Sequence, residues 1–185
     1  CGINTNIGES INAKAVVLTT GTFLNGTIHI GHNQFPAGRA WEFPAEKLSE
    51  QLKSLGLKIG RLKTGTTPRL DGRTINFDKL EPQPGDEEIR KFSFWPSEIK
   101  MPQVPCYITY TNQNTHQVIM DNIKKSAMYS GAITGVGARY CPSIEDKVSR
   151  FPDKDRHQVF IEPTSLKSYE YYPNGISTSL PLDVQ

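Results

Sequence analysis

Cys141 stands in the stretch with the greatest concentration of reactive and charged groups, Gly135 to Phe151, between a glycine-rich turn and a predicted helix start. Ser143 followed by Asp146 reads as a capping box, Ile144 and Val148 fall four apart on a buried face, and Pro142 stiffens the entry. A thiol just ahead of that helix would feel the positive end of its dipole, with Arg139, Lys147 and Arg150 close by in sequence. Both effects favour a thiolate, the nucleophilic form of cysteine. The alternative is that Cys141 packs behind the helix start while Arg139 and Lys147 hold a cofactor phosphate.

Other residues of chemical interest have weaker surroundings. Cys106 lies in a predicted strand, Gln103 to Tyr110, without basic neighbours, and reads as a small buried hydrophobe. His29 and His32 sit three apart with no third ligand, so a solvated or backbone-bonded pair is expected. His116 reads as an exposed first-turn histidine. The loop Lys63 to Arg69 carries two basic residues and three hydroxyls. It either cradles a phosphate or forms a plain turn, and it lacks the residue order of a Walker motif.

The elements that would position these groups follow from periodicity. Ala15 to Leu18 reads as a buried strand running into the glycine turn Thr20, Gly21, Thr22. Pro44 to Leu55 reads as a helix with Leu48, Leu52 and Leu55 on one face and Gly56 as its stop. Leu57 to Leu62 is a strand candidate, and Asp71 to Met101 is irregular with short strands. There the aromatics Phe77, Phe92, Phe94 and Trp95 are expected to be partly buried rather than stacked on bases. A second helix is expected from Thr115 to Lys125, capped by Thr115 with Val118, Ile119 and Ile123 inward. His157 to Ile161 reads as a strand and Pro173 to Gly175 as a turn.

With 185 residues the chain could form one ordinary domain. Its start at Cys1 and its end at Gln185 without a closing element suggest a segment of a longer protein. Twenty-one basic against nineteen acidic residues leave a formal charge of +2, too little to argue for nucleic acid from bulk charge. Three cysteines without metal-type spacing suit a reducing compartment and no bound metal. No apolar run reaches the ~20 residues of a bilayer span.

Several runs, taken together and in order, are more specific. They are Thr20 to Gly26, Pro36 to Arg39, Gly60 to Gly65 with Pro68 and Arg69, Pro105 to Thr109, Gly137 to Phe151, and Asn174 to Pro181. This series resembles the MnmG/GidA family of tRNA wobble-uridine modification enzymes across nearly the whole chain. The sequence departs from the family pattern at Trp41 to Phe43, at Thr67 and at Ala138.

The resemblance implies an α/β fold belonging to a two-dinucleotide-fold FAD/NAD-type flavoprotein with an inserted α/β domain. Residues 1–30 would end a section of the FAD-binding domain, 31–170 would be the inserted NADH-binding domain, and 171–185 would return towards the FAD domain. It implies addition of a carboxymethylaminomethyl or aminomethyl group to carbon five of the wobble uridine of tRNA. FAD and NADH would be the cofactors, a reduced folate a substrate, and the GTPase MnmE a partner, with a cytoplasmic homodimer as the working form, or a mitochondrial one in a eukaryote.

Carried over by position, Cys141 would be catalytic and Thr20, Gly21 and Thr22 would line the flavin side. The nicotinamide-cofactor segment would be Gly137, Ala138, Arg139, Tyr140, Cys141, Pro142, Ser143, Ile144, Glu145, Asp146, Lys147, Val148, Ser149, Arg150 and Phe151. The segment by itself would be inactive. Two alternatives are a nucleotide- or tRNA-binding module without chemistry of its own, and the related folate- and FAD-dependent tRNA uracil methyltransferase. Gly137 to Phe151 together with Asn174 to Pro181 speaks against the methyltransferase.

Overall fold

The computed structural model describes every residue except Ala40, Trp41, Pro96, Ser97, Thr134, Ala138, Arg139 and Tyr140, and the side chain of Val136. The chain forms two compact units, one of residues 1–28 and 35–59, the other of residues 29–34 and 60–185.

In the first unit, β1 (Gly2–Asn4) and β2 (Ser10–Asn12) make an exposed antiparallel hairpin around Gly8. The expected buried strand at Ala15 to Leu18 does not form. Val16, Val17 and Leu18 are exposed, and no described strand pairs with them, whereas a buried strand needs ladder partners for its backbone groups. Thr20 to Phe23 closes a turn through the Phe23 N–H and the Thr20 carbonyl. β3 (Thr27–Ile30) and β4 (Asn33–Pro36) form a hairpin whose tip belongs to the second unit.

Helix α1 spans Leu48–Ser54, shorter than the periodicity predicts. Leu55 lies beyond it, exposed, because the chain turns at Gly56, whose φ of 86° is a left-handed value that glycine adopts without strain. The buried residue of α1 is Ser49, which meets the Asn25 amide at 2.7 Å.

The second unit is built on a five-stranded sheet. In chain order its strands are β6 (Leu70–Asp71), β7 (Glu81–Gln83), β8 (Cys106–Tyr110), β10 (Gln158–Pro163) and β11 (Glu170–Asn174). Their spatial order is β6-β11-β10-β8-β7, antiparallel throughout. Helix and sheet are mixed, as expected. The parallel ladder between named strands is instead a short one, β5 (Leu62–Lys63) on β9 (Val136–Gly137).

Periodicity missed β11, because Pro173 reads as a turn residue. The proline is tolerated because β6 pairs only with Glu170 and Tyr171, leaving β11 a single neighbouring strand at Pro173. The turn follows at Gly175, φ 114°, where a Cβ would lie 2.8 Å from the Gln158 carbonyl oxygen.

Helix α2 spans Gln113–Asn122 and α3 spans Ile144–Arg150. The cap of α2 is Asn112 rather than Thr115: its Oδ1 accepts the Thr115 N–H at 2.9 Å. Ile119 is buried while Val118, about 100° round the helix, stays exposed. Ile119 meets Ile144, Val148 and Leu180 in one apolar cluster, joined at its edge by Ile176 and Val184. The aromatic expectation divides. Phe77 packs on Tyr107 and Tyr171, but Phe92, Phe94 and Trp95 are exposed, since their loop has no described element to cover it.

Ser143 caps α3 as predicted, accepting the Asp146 N–H at 3.2 Å, and is itself fully buried. The Asp146 carboxylate turns instead to Tyr129 Oη at 3.0 Å and Arg150 at 3.8 Å, so the capping box is half used. Ser143→Ala is expected to lower unfolding free energy by about 1 kcal/mol, read from urea denaturation of the variant against the parent.

Candidate functional site

Cys141 is exposed at the mouth of the turn leading into α3. Thr64, just after β5, donates its hydroxyl to the Cys141 sulfur at 2.9 Å. An O–H aimed at sulfur steadies negative charge there more directly than α3 can, since a helix of two turns carries a small dipole.

Three basic residues near Cys141 in sequence have different fates. Arg139 lies outside the described residues, and Arg150 is drawn to Asp146. Lys147 stays near the cysteine, its Nζ donating to the Gly175 carbonyl at 2.7 Å. Burial pulls the Lys147 ammonium below the usual lysine range, while the negative form of Cys141 pulls it up. Lys147 is thus a half-enclosed cation that senses the charge of Cys141.

The framework that brings these groups together is the extended segment Ser177 to Leu180. The Ile144 N–H donates to the Ser177 carbonyl at 2.7 Å, and Ser177 Oγ donates to the Pro142 carbonyl at 3.3 Å. Thr178 exchanges two backbone hydrogen bonds with Thr66, at 3.2 and 2.9 Å. The Gly31 N–H reaches the Ser179 carbonyl at 2.9 Å, and a Cβ at Gly31 would meet Pro181 at 2.7 Å. Thr64 and Cys141 are therefore registered against the same few residues.

Within the predicted cofactor segment, Ser143, Ile144, Glu145 and Val148 are enclosed in the fold and support it from within. Gly137, Cys141, Ser149, Arg150 and Phe151 face solvent, and Pro142, Asp146 and Lys147 are half-buried. Ala138, Arg139 and Tyr140 lie outside the described residues. Thr20, Gly21 and Thr22 form an accessible turn in the other unit. Gly21 has φ 54°, a Cβ there would meet nothing within 4 Å, and Thr22 Oγ1 donates to the Gly38 carbonyl at 2.9 Å.

In the Lys63 to Arg69 loop, Thr67 and Arg69 are engaged in packing. Thr67 is buried against Tyr172 Oη at 3.1 Å, and Arg69 stacks 4.4 Å from the Tyr172 ring centre while donating to the Thr67 carbonyl. Thr64 is the candidate site residue that sequence reasoning missed. Its signal was the polar loop itself, but nothing local pointed it at a cysteine so distant in the chain.

Cys106 is half-buried, and burial together with Glu162 pushes its thiol up, which disfavours the nucleophilic form. His116 is half-buried rather than exposed: its Nε2 meets Thr111 Oγ1 at 2.8 Å and its ring packs 5.3 Å from that of His157. Among the described residues no cluster of three or more His, Cys, Asp or Glu could hold a metal, and no helix is long and apolar enough to cross a membrane.

The family model described as Glucose inhibited division protein A matches residues 1–185. The chain belongs to the GidA family. It is 61% identical over its full length to the tRNA uridine 5-carboxymethylaminomethyl modification enzyme MnmG of Thermodesulfovibrio yellowstonii, and 56% identical to the enzyme of that name in Geobacter sulfurreducens. It spans 30% and 29% of those proteins. Among solved structures, GidA of Aquifex aeolicus in its form I crystal superposes with a TM-score of 0.81 at 50% identity, over 99% of this chain and 32% of that one. The GidA family membership therefore rests on sequence and fold together.

Two outcomes are expected from this geometry. Thr64→Val removes the donor to sulfur, and alkylation of Cys141 by iodoacetamide at neutral pH should slow about tenfold, the scale of a hydrogen bond to a charged group. His157 is buried, with Nε2 lacking a hydrogen-bond partner among the described residues. Burial, then His116, Lys147 and Lys154, hold its pKa below 6.5. The unfolded chain then binds the proton more tightly, so this contribution to stability is complete above pH 6.5 and is lost as pH falls through the lowered folded value. In denaturation series at pH 7.5 and 5.5, His157→Gln should lose less stability on acidification than the parent. His29, also lowered by burial and Arg61, leaves part of the slope in place.

Proposed function

We propose that this chain is the central part of a flavin-dependent enzyme that modifies carbon five of the wobble uridine of tRNA. The observation that carries the proposal is the exposed Cys141 thiol with a hydroxyl donor on its sulfur and a half-buried ammonium whose charge it influences, in a chain whose MnmG relatives are named for this modification. The chain spans less than a third of those relatives, and we assign the activity to the whole protein, with the segment inactive by itself as part of the same proposal.

Uracil carbon five is a weak nucleophile. Addition of the Cys141 sulfur to carbon six forms a carbon–sulfur bond and moves the ring electrons towards carbon five and the neighbouring carbonyl oxygen. Carbon five can then attack a one-carbon electrophile. Loss of its proton and expulsion of the thiolate restore the aromatic ring. Thr64 steadies charge on the sulfur at both ends of this sequence, and Lys147 supplies the nearby cation.

The one-carbon unit comes from a reduced folate, and bound FAD with NADH would supply the redox chemistry. The Thr20 to Thr22 turn suits the edge of a flavin nucleotide, because its Gly21 borders open space and lets a ligand approach the backbone. For NADH, Gly137, Cys141, Ser149, Arg150 and Phe151 are the exposed residues among the described part of the segment. We assign residues 1–30 to the end of a section of an FAD domain, 31–170 to an inserted NADH domain, and 171–185 to the return, within a two-dinucleotide-fold protein. The GTPase MnmE, a homodimer and a cytoplasmic setting complete the reading.

In the full-length protein, Cys141→Ser is expected to lower formation of the modified uridine by at least about 100-fold while flavin absorbance is retained. Wild-type modification by that variant would remove Cys141 from the mechanism and favour a segment that only binds nucleotide or tRNA.

A further inference from the structure

Glu145 is the largest fully buried side chain among the described residues, four positions after Cys141 in the first turn of α3. Its Oε1 accepts two hydrogen bonds at 3.0 Å, one from Ser126 Oγ and one from the Ser179 N–H. The Ser126 and Ser179 hydroxyls lie 2.7 Å apart, and the Met128 N–H reaches both. Oε2 is enclosed with no hydrogen-bond partner among the described residues.

A buried carboxyl with one bare oxygen is a poor source of stability, since a well-packed apolar side chain avoids its desolvation cost. What the group does supply is register. A single oxygen holds donors from two distant segments against the helix that follows Cys141. Ser179 is preceded by Thr178, which is bonded to Thr66, and by Ser177, which is bonded to Ile144 and Pro142. Thr66 lies two residues from Thr64, and Pro142 adjoins Cys141. A slip of Ser179 against α3 would therefore shift the Thr64 hydroxyl relative to the Cys141 sulfur.

We propose that Glu145 is a positioning residue for the Cys141 thiol, its enclosed carboxylate locking Ser126 and Ser179 to α3 so that Thr64 stays aimed at the sulfur. The catalytic consequence rests on the role of Cys141 given above, but the geometric part does not.

The test uses the full-length protein with Glu145→Ala, Glu145→Gln and Ser126→Ala. Cys141 alkylation by iodoacetamide is followed by peptide mass spectrometry, beside kcat and KM for tRNA modification, at temperatures where each variant is folded. Glu145→Ala should slow alkylation and lower kcat by about tenfold with KM for tRNA little changed, by loss of the aligned donor. Glu145→Gln, whose amide oxygen can accept the same two donors, should stay within about threefold of the parent.

Ser126→Ala removes one donor and keeps the carboxylate, so it should give a smaller slowing of alkylation, and it carries the test if Glu145→Ala does not fold. Parental alkylation in Ser126→Ala and in whichever Glu145→Ala protein folds would overturn the proposal, as would Glu145→Gln behaving like Glu145→Ala. If Cys141→Ser retained modification, the nucleophile assignment would fail while the alkylation comparison still decided the role of Glu145.

Discussion

Most of the site depends on how the backbone of Ser177 to Leu180 is satisfied. This extended segment belongs to no sheet, yet its buried amides and carbonyls need partners as much as those of a strand do. It finds them in Gly31, Thr66, Ala127 and Ile144, and in the side chain of Glu145. Each of these brings a different part of the second unit to a common line. The apolar cluster adds Leu180 to Ile119, Ile144 and Val148, so hydrophobic burial and backbone pairing hold the same junction.

The balance of forces there is uneven. Burial of Ile119, Ile144, Val148 and Leu180 gives the non-directional part, while Ser143, Ser126, Ser179 and Glu145 give a dense polar layer beside it. Such a layer is costly wherever a group goes unpaired, and Oε2 of Glu145 and Nε2 of His157 are both enclosed without partners among the described residues. Unpaired polar atoms of this kind tend to gather near functional groups, where specific geometry outweighs stability.

Local patterns in the sequence carried some elements and not others. The cap at Ser143, the inward pair Ile144 and Val148, the stop at Gly56 and the strands around Ile108 and Val159 were legible because each is set by neighbours within a turn or a pleat. The failures share a cause. Ala15 to Leu18 has the composition of a buried strand, but burial requires partners, which no local pattern reports. Val118 and the Asn112 cap were misread because adjacent apolar residues cannot both face the core, and which of them does is set by the packing partners of the helix. Of the site, Cys141 and Lys147 could be read from one short segment. Thr64, Glu145 and the Ser177 to Leu180 segment could not, since their roles arise from pairings between remote parts of the chain.

The same remoteness bears on how the protein is made. The segment at Ser177 to Leu180 lies near the end of this chain, while the hairpin tip it meets at Gly31 lies near the beginning. Long-range pairings of this sort close late in folding, because the loop entropy must be overcome before the contacts form. During synthesis the thiol at Cys141 emerges before the residues that register it, so the alignment that favours its reactive form is completed only when the Ser177 to Leu180 segment docks. The exposed sulfur thus gains its reactivity as the last step of assembly, not before it.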